Sequence, residues 1–254
     1  MTETNALPTV HVVGMGEVGT RLERGLHRAG VKTATVTRGV GWAEALADTQ
    51  SLYLVCVREQ HLAEVLGVLN GVPPDRIALV QNGWIRPLLH NFSGVTRGLI
   101  WFTAKGEFFT VLRSSPFSGP LARPLADALT SAGIPSTTVE ARDFDRLDAE
   151  KMAFNCVVGL PLAVHGLSLN GYLESRVDEA HAVFEEALTV CAGAVGAVAD
   201  DDAWEKFLLS AQPLGWVRVA NAKALEFRNG AVIELARQQG KAAAVNIELM
   251  SGRF

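Results

Sequence analysis

The sequence predicts an α/β chain in two parts, in which a parallel sheet flanked by helices is followed by an all-α domain. Up to about residue 140, short β-branched runs alternate with amphipathic segments, which is the pattern of βαβ units. From residue 143 the β pattern stops, and the remaining segments are helical in period and composition. We therefore expect two domains, 1–142 and 143–254.

Strands and helices alternate regularly in the first part. The predicted strands, rich in β-branched residues, are 9–14, 32–37, 51–57, 76–80, 95–102, 107–113 and 136–140. The predicted helices between them are 17–30, 42–48, 60–70 and 123–133. The first of these helices ends at Gly30, a typical stop signal.

The second part contains four long helical patterns. They cover residues 143–160, 176–198, 202–211 and 217–240. Three aspartates, Asp200 to Asp202, stand at the start of the third pattern, and we interpret them as an N-cap cluster.

Composition excludes several classes of protein. The chain has 254 residues, 48% of them hydrophobic and 20% charged, and a net charge of −4, which argues against a nucleic-acid or anionic-membrane surface. No apolar run reaches the roughly 18 residues of a membrane span, and the first residues lack signal-peptide features, so we expect a cytoplasmic protein. The three cysteines and six histidines lack metal-ligand or redox spacing. No metal is expected.

A glycine-rich turn joins the first predicted strand to the first helix. Gly14, Gly16 and Gly19 have the spacing G-x-G-x-x-G. The pattern alone is weak, but here it follows a β-rich run and opens a helix, which is the context of a Rossmann-type dinucleotide-binding fingerprint. The predicted cofactor-binding loop consists of Gly14, Met15, Gly16, Glu17, Val18 and Gly19. The alternative is a glycine-rich turn without a ligand.

The end of the second strand indicates which dinucleotide is bound. An acidic residue there binds the ribose of NAD, whereas a cation accommodates the 2′-phosphate of NADP. The sequence has Arg38 and no acidic residue, so we predict NADP(H); the alternative is an exposed loop arginine. Arg58, Gln81 and Asn82 follow the third and fourth strands, where ligands collect, and we assign them to the cofactor site. For Asn82 the alternative is an Asn-Gly turn.

These motifs, followed by "KMAFNCVV" at the start of the helical part, resemble the ketopantoate reductase (2-dehydropantoate 2-reductase) family from about Val10 to the end of the chain. The resemblance implies an NADPH-dependent reduction of a 2-keto acid to a 2-hydroxy acid, as in pantothenate biosynthesis. It implies that Lys151 is the general acid that protonates the nascent alkoxide. It also implies that Asn155 binds polar groups of the substrate and that Asn82 lies near Lys151 and the nicotinamide.

Physical chemistry agrees with this assignment of Lys151. Lys151 and Asn155 are four residues apart, so they share one face of a helix whose other faces are mostly apolar. Hydride arrival at a carbonyl carbon builds negative charge on the oxygen, which an ammonium group stabilises. The alternative is a surface lysine beside a polar asparagine.

Positions that would recognise the substrate differ from the family pattern. Gly159 stands where the family has a second asparagine, and 212–218 lacks the serine and aspartate of its S-M-x-x-D segment. Arg218 in that segment is a candidate for binding the substrate, and the alternative is a solvated helix arginine. These departures predict a substrate other than ketopantoate.

The register near Asn229-Gly230 is ambiguous. The family's substrate-binding glutamate precedes Asn-Gly by five residues, a position held here by Ala224, whereas Glu226 precedes it by three. We keep Glu226 as a candidate substrate-binding residue. Arg58 stands where the family usually has lysine, so the charge is retained.

The leading hypothesis is therefore an NADP-dependent oxidoreductase acting on a small 2-keto acid, as a monomer or homodimer. One alternative is a non-catalytic NADP-binding sensor of the same fold. Another is an imine- or β-hydroxyacid-type dehydrogenase, against which the K-x-x-x-N pattern of Lys151 and Asn155 counts.

Overall fold

The structure is a computed structural model that describes residues 7–252. It consists of two compact units. The first contains the described residues through Gln81 together with Arg86–Ala141, and the second contains Asn82–Ile85 and the chain from Arg142 onward. Together they give the predicted fold class, an α/β domain with a mostly parallel sheet and an all-α domain.

The first unit is built on a seven-stranded sheet of order β2-β1-β3-β4-β5-β8-β9, beside a β6-β7 hairpin. The strands are β1 Val10–Val13, β2 Thr33–Val36, β3 Leu52–Val55, β4 Ile77–Leu79, β5 Thr96–Gly98, β6 Phe102–Lys105, β7 Phe108–Val111, β8 Ser115–Ser118 and β9 Ser136–Thr138. Strands β1, β3 and β4 are buried along their whole length, because helices cover both faces of a parallel sheet.

Four α-helices accompany this sheet. They are α1 Glu17–Arg28, α2 Trp42–Ala47, α3 Leu62–Val68 and α4 Ala122–Ser131. Helix α1 buries Leu22 and Leu26, one turn apart on its apolar stripe. They pack in one core with Val10 and Val12 of β1. This packing fixes the start of α1 against the end of β1.

The second unit is helical. Its helices are α5 Ala141–Val157, α6 Leu160–His165, α7 Leu169–Ser175, α8 Val177–Val195, α9 Ala203–Ala211, α10 Asn229–Gln239 and α11 Ala244–Ser251. Helix α8 packs against α7, α10 and α11. Phe207 of α9 stacks on Trp204 at 4.8 Å between ring centroids and meets Phe154 of α5 at 5.6 Å. This cluster fixes the side of α5 adjacent to Lys151. Among residues 7–252, no helix combines the length and apolar character needed to cross a bilayer.

Several predicted elements differ from the structure. The sheet is mixed, because β5 and β8 pair antiparallel. The predicted strand 95–102 is divided between β5 and β6, and β8, which contains Pro116, was not predicted. Because proline has no backbone N–H to donate to a neighbouring strand, a segment that contains one is hard to recognise as a strand from sequence.

The predicted helices of the second unit are also shorter than expected. The helix of the pattern 143–160 ends at Val157. In the turn that follows, a Cβ at position 159 would lie 2.9 Å from the Asn155 carbonyl oxygen, so glycine fits this backbone without strain. The pattern 217–240 becomes an α-helix only from Asn229. Before that, the carbonyls of Gly215 and Val217 accept hydrogen bonds from Asn170 and Leu169, which draws the segment away from helical geometry.

The aspartates before α9 do not cap it. Asp202 is at the N-cap position without a side-chain capping hydrogen bond. Its carboxylate is 2.7 Å from Lys206, while Asp200 lies 2.5 Å from Arg146 and 2.6 Å from Lys206. The N-cap prediction was wrong because these cations compete for the carboxylates.

Candidate active site

The candidate nucleotide site lies where the strand order of the sheet reverses. The chain runs from β1 to β2 on one side and then returns to pair β3 on the other side of β1. A crevice forms beyond the carboxyl ends of the strands at such a switch point, which is where ligands bind in open α/β sheets. The glycine-rich turn that follows β1 opens into this crevice.

The three glycines of the turn serve different purposes. Gly14 has φ +95°, and a Cβ there would lie 2.8 Å from the Val57 side chain. At Gly19 a Cβ would overlap the Gly14 carbonyl oxygen. Both glycines are therefore required by the fold itself. Gly16, in contrast, is exposed and has nothing within 4 Å of its Cβ position, so the fold itself does not require a glycine there and a ligand could approach the backbone.

Gly16 is also the N-cap of α1. Its φ of −76° is one that other residues adopt, and no side chain caps the helix there. The first backbone N–H groups of α1 therefore remain available at the positive end of the helix dipole, which suits a phosphate group. Met15, Glu17 and Val18 complete the loop around this helix start, with Val18 packed toward the core.

A cavity of about 210 Å³ adjoins the turn. Its lining includes Gly14, Met15, Arg38, Trp42, His61 and Glu64. Arg38 is exposed and lies in a two-residue turn closed by reciprocal backbone hydrogen bonds of 3.1 Å between Thr37 and Val40. The turn thus fixes the Arg38 backbone beside a cavity that Glu64 also lines. The glycine turn, the Trp42 and His61 rings and the Arg38 side chain are the groups that could hold a dinucleotide here.

Gln81 supports the neighbouring strand end. It is only 3% exposed, and its Nε2 donates hydrogen bonds of 3.0 Å to the carbonyls of both Val55 and Val57. Its Oε1 is buried and accepts no hydrogen bond from the described residues. Gln81 therefore fixes the loop after β3 on which Arg58, an exposed residue, is carried.

The second unit carries the predicted catalytic residues. Lys151 and Asn155 of α5 are 3% and 8% exposed, so Lys151 is not a solvated surface lysine. The Lys151 ammonium lies 4.6 Å from the centre of the Phe154 ring, an arrangement that favours the charged amine. Asn155 Nδ2 donates a 2.7 Å hydrogen bond to the backbone carbonyl of Asn82. Lys151 and Asn155 thus share a buried helix face, as the sequence predicted.

Three segments meet at this face, and we call them the three-segment junction: Asn82–Ile85, residues 155–159 and residues 227–229. The N–H of Trp84 donates a 2.8 Å hydrogen bond to the carbonyl of Phe227. Asn229, 1% exposed, donates from Nδ2 to the carbonyl of Cys156 at 3.4 Å and to Asn246 Oδ1 at 2.9 Å. These bonds explain why Asn82–Ile85 belongs to the helical unit.

Arg228, which sequence reasoning missed, lies in the three-segment junction. Its Nη1 is 4.0 Å from the position that a Cβ of Gly159 would occupy. Its charge also reaches Cys156: burial raises the pKa of that thiol to about 12, and the Arg228 guanidinium opposes the rise. Arg228 Nε is buried and has no hydrogen-bond partner within the described part of the chain. The only sequence signal was a cation beside the Asn-Gly pair.

The remaining predicted site residues lie in other surroundings. Arg218 is exposed, and its Nη1 donates a 2.9 Å hydrogen bond to the carbonyl of Gly166 at the end of α6. It forms an isolated bridge with Ser168 and is not in a helix. Glu226 is exposed on a single 3₁₀ turn that follows Ala224, whose φ is +50°. Residues 7–252 hold no cluster of three or more side chains suited to a metal ion.

Comparison with known proteins agrees with this architecture. No family model and no curated protein sequence matches the chain. A ketopantoate reductase of the PanE/ApbA family from Ralstonia eutropha JMP134 superposes with a TM-score of 0.76 at 16% identity, over 96% of each chain. D-mandelate dehydrogenase in complex with NADH gives 0.75 at 13% identity, over 96% of this chain and 97% of its own. A dimeric ketopantoate reductase from Staphylococcus aureus gives 0.72 at 16%, over 96% of this chain and 98% of its own. The chain therefore has the two-domain fold that these 2-keto acid and 2-hydroxy acid oxidoreductases share.

Proposed function

We propose that this protein is an NADPH-dependent reductase of the ketopantoate reductase family that converts a 2-keto acid into the 2-hydroxy acid. The observation that carries the proposal is the buried pair Lys151 and Asn155 on one face of α5, with Asn155 held by the Asn82 carbonyl. The glycine turn and its adjoining cavity supply the nucleotide site. Proteins of the same fold are named for this chemistry.

Lys151 is the general acid of the proposed reaction. NADPH, when bound, supplies the hydride that adds to the carbonyl carbon. The Lys151 ammonium donates a hydrogen bond to the keto oxygen, stabilises the charge that develops there and transfers its proton to give the hydroxyl group. The neutral amine then regains a proton from solvent. Because Lys151 is buried, its field on the oxygen is screened less than it would be in water.

Asn155 orients the substrate. Its Nδ2 is committed to the Asn82 carbonyl, while its Oδ1 accepts no hydrogen bond from the described residues. The Oδ1 is therefore available to the hydroxyl group of the product. Because an amide does not titrate, Asn155 does not compete with Lys151 for the transferred proton.

The proposed cofactor is NADP(H), because Arg38 stands where the 2′-phosphate would lie. The proposed substrate is a 2-keto acid other than ketopantoate. The polar positions expected within 212–218 are replaced, and Glu226 lies exposed on its turn. A site without those hydrogen-bonding groups loses its means of preferring a substrate that carries a matching hydroxyl group.

The experiment is steady-state NADPH oxidation with 2-oxo-2-phenylacetate, 2-oxo-3-methylbutanoate and ketopantoate. We expect turnover of one of the first two acids and a poor kcat/KM on ketopantoate. Lys151→Ala lowers kcat by about 10² or more, as expected for loss of a general acid, while calorimetric NADPH binding is unchanged. Lys241→Ala, an exposed lysine of the same unit, is the matched control and retains activity.

Two results would overturn the proposal. Unchanged turnover in the Lys151→Ala variant would remove Lys151 from the mechanism. A protein that binds NADPH tightly but oxidises it with none of a wide range of 2-keto acids would favour the non-catalytic sensor.

A further inference from the structure

We propose that Arg228 binds the carboxylate of the 2-keto acid. This inference rests on the proposed function and names the group that selects an acid over an uncharged ketone. Arg228 belongs to the turn before α10 and reaches the end of α5. Its guanidinium lies beside Gly159, the residue that follows Lys151 and Asn155 at the same spacing of four.

The spacing suits a small acid. Lys151 and Asn155 are one turn apart on α5, about 6 Å along the helix axis, and the helix ends two residues later at Val157. Arg228 Nη1 reaches the Gly159 position just beyond that end, on the Asn155 side of the face. In a 2-keto acid the keto oxygen and the carboxylate are on adjacent carbons, so one cation at each end can hold both groups, with Asn155 between them.

The charge of Arg228 is unbalanced. Among the described residues no carboxylate lies within ion-pair distance of its guanidinium, and its Nε is buried without a hydrogen bond. Arg146, the other partly buried arginine of the unit, shows the contrast, because Glu150 and Asp200 lie 2.7 and 2.5 Å from its Nη1. A partly buried cation without a partner costs free energy, and an anionic ligand removes that cost.

The position of Arg228 is fixed by its neighbours in the chain. Phe227 accepts a hydrogen bond from Trp84, and Asn229 is buried and bonded to both Cys156 and Asn246. The backbone on each side of Arg228 is therefore anchored to the helix that carries Lys151 and Asn155. A guanidinium on so rigid a support is preorganised to bind a planar carboxylate through two parallel hydrogen bonds.

Gly159 leaves room for this arrangement. Its Cβ position is excluded by the Asn155 carbonyl at 2.9 Å, and the nearest side-chain atom beyond is Arg228 Nη1. The family pattern expects a neutral asparagine at this position. In this chain a charged group from another segment takes the place next to Asn155, which favours an anionic group of the substrate at that point.

The test compares an acid with its ester. The wild type reduces the acid that it turns over, 2-oxo-2-phenylacetate or 2-oxo-3-methylbutanoate, with a much higher kcat/KM than the methyl ester of that acid. Arg228→Met, which keeps the stem and removes the charge, lowers kcat/KM on the acid by about 10- to 100-fold, mainly through KM, and leaves the ester unchanged. Arg228→Lys restores part of the loss. Arg218→Met, the control at the other candidate arginine, keeps the preference of the wild type.

Several outcomes would overturn the inference: a wild type without preference for the acid, an equal fall for acid and ester in Arg228→Met, or a loss of preference in Arg218→Met. Circular dichroism checks folding, and Arg228→Gln replaces Arg228→Met if the latter does not fold.

Calorimetry of the acid with the NADP⁺-bound protein separates this inference from the proposed function. Binding without turnover, lost in the Arg228 variants, upholds the carboxylate site and overturns the reductase. Absence of binding to the wild type overturns both.

Discussion

The proposed preference for NADP(H) rests on one exposed side chain, Arg38. It occupies a turn whose backbone is closed by the Thr37–Val40 hydrogen bonds, so its Cα is fixed although its side chain is solvated. Glu64 also lines the cavity beside Arg38, and its carboxylate repels the negative charge of a 2′-phosphate. Under the proposed function, discrimination in favour of a 2′-phosphate therefore depends on the Arg38 guanidinium.

This residue supports a direct prediction. Arg38→Ala weakens NADPH binding by about 10- to 100-fold, since it removes charge-assisted hydrogen bonds to a phosphate, and changes NADH binding little. Lys32→Ala, an exposed cation just before β2, is the control and changes neither affinity. Calorimetric titration of both nucleotides measures the effect. Equal affinities of the wild type for NADPH and NADH would refute the assignment of NADP.

At the same scale, the sequence revealed residues whose partners are local and missed one whose partners are distant. Lys151 and Asn155 were found because a helical period of four places them on one face. Arg228 was missed because its position depends on contacts with Gly159 and Cys156, far away along the chain. The anchoring role of Gln81 was missed for the same reason.

At the level of elements, the β1–α1 turn contains two glycines that the fold requires and one, Gly16, that the proposed function assigns to nucleotide binding. A Cβ at Gly19 overlaps the Gly14 carbonyl, so Gly19→Ala forces α1 away from β1. A Cβ at Gly16 meets only open space and disturbs nothing in the protein. We predict that Gly16→Ala melts like the wild type yet binds NADPH at least about tenfold more weakly, because the methyl group occupies the phosphate position.

The matched variant Gly19→Ala is expected to lower the melting temperature of the first unit, with weaker binding only as a consequence. Thermal melts with and without NADPH distinguish the two behaviours. An alanine at position 16 that leaves NADPH affinity intact would mean that the nucleotide does not approach this turn.

Elements were predictable where one pattern dominates locally. The buried runs β1, β3 and β4 and the helices α1 and α4 were predicted near their observed places, because period and β-branched content agree there. The prediction failed where a neighbouring segment redirects the backbone. Residues 217–228 have a helical pattern, but Leu169 and Asn170 take up the carbonyls of Val217 and Gly215 in hydrogen bonds.

For the whole molecule, the fold persists where sequence similarity does not. Superposition over 96% of the chain at 13% and 16% identity shows that this architecture is retained although most residues differ. The family resemblance placed Asn82 near Lys151, but no pattern of the sequence itself predicts that Asn82–Ile85 packs with the helical unit. That placement depends on the Asn155 and Phe227 hydrogen bonds, which join segments distant in sequence.

The stability of the molecule should depend on pH through one buried histidine. His11 of β1 is 6% exposed, stacks on Tyr53 at 5.6 Å, and its Nε2 has no hydrogen-bond partner in the described chain. Burial holds the pKa of His11 below its usual range; the charge of Asp48 opposes this shift and that of Arg76 adds to it. The native state therefore favours neutral His11, whereas the unfolded chain takes up a proton near pH 6.5. Its contribution to stability is complete above that pH and is lost as the pH falls below it, by at most about 1.4 kcal/mol per pH unit.

His11→Phe, which keeps an aromatic ring against Tyr53, should remove this part of the acid sensitivity. Calorimetric melts between pH 7.5 and 5 (about one unit above and 1.5 units below the ordinary histidine pKa) measure it as a smaller fall in melting temperature for the variant than for the wild type. His27→Gln, at an exposed position of α1, is the control and retains the fall of the wild type. Because the wild type and His11→Phe share every other titratable group, the difference between their two curves isolates His11. Parallel curves for His11→Phe and the wild type would show that His11 accepts a proton in the native core without cost, in contradiction to its burial against Tyr53.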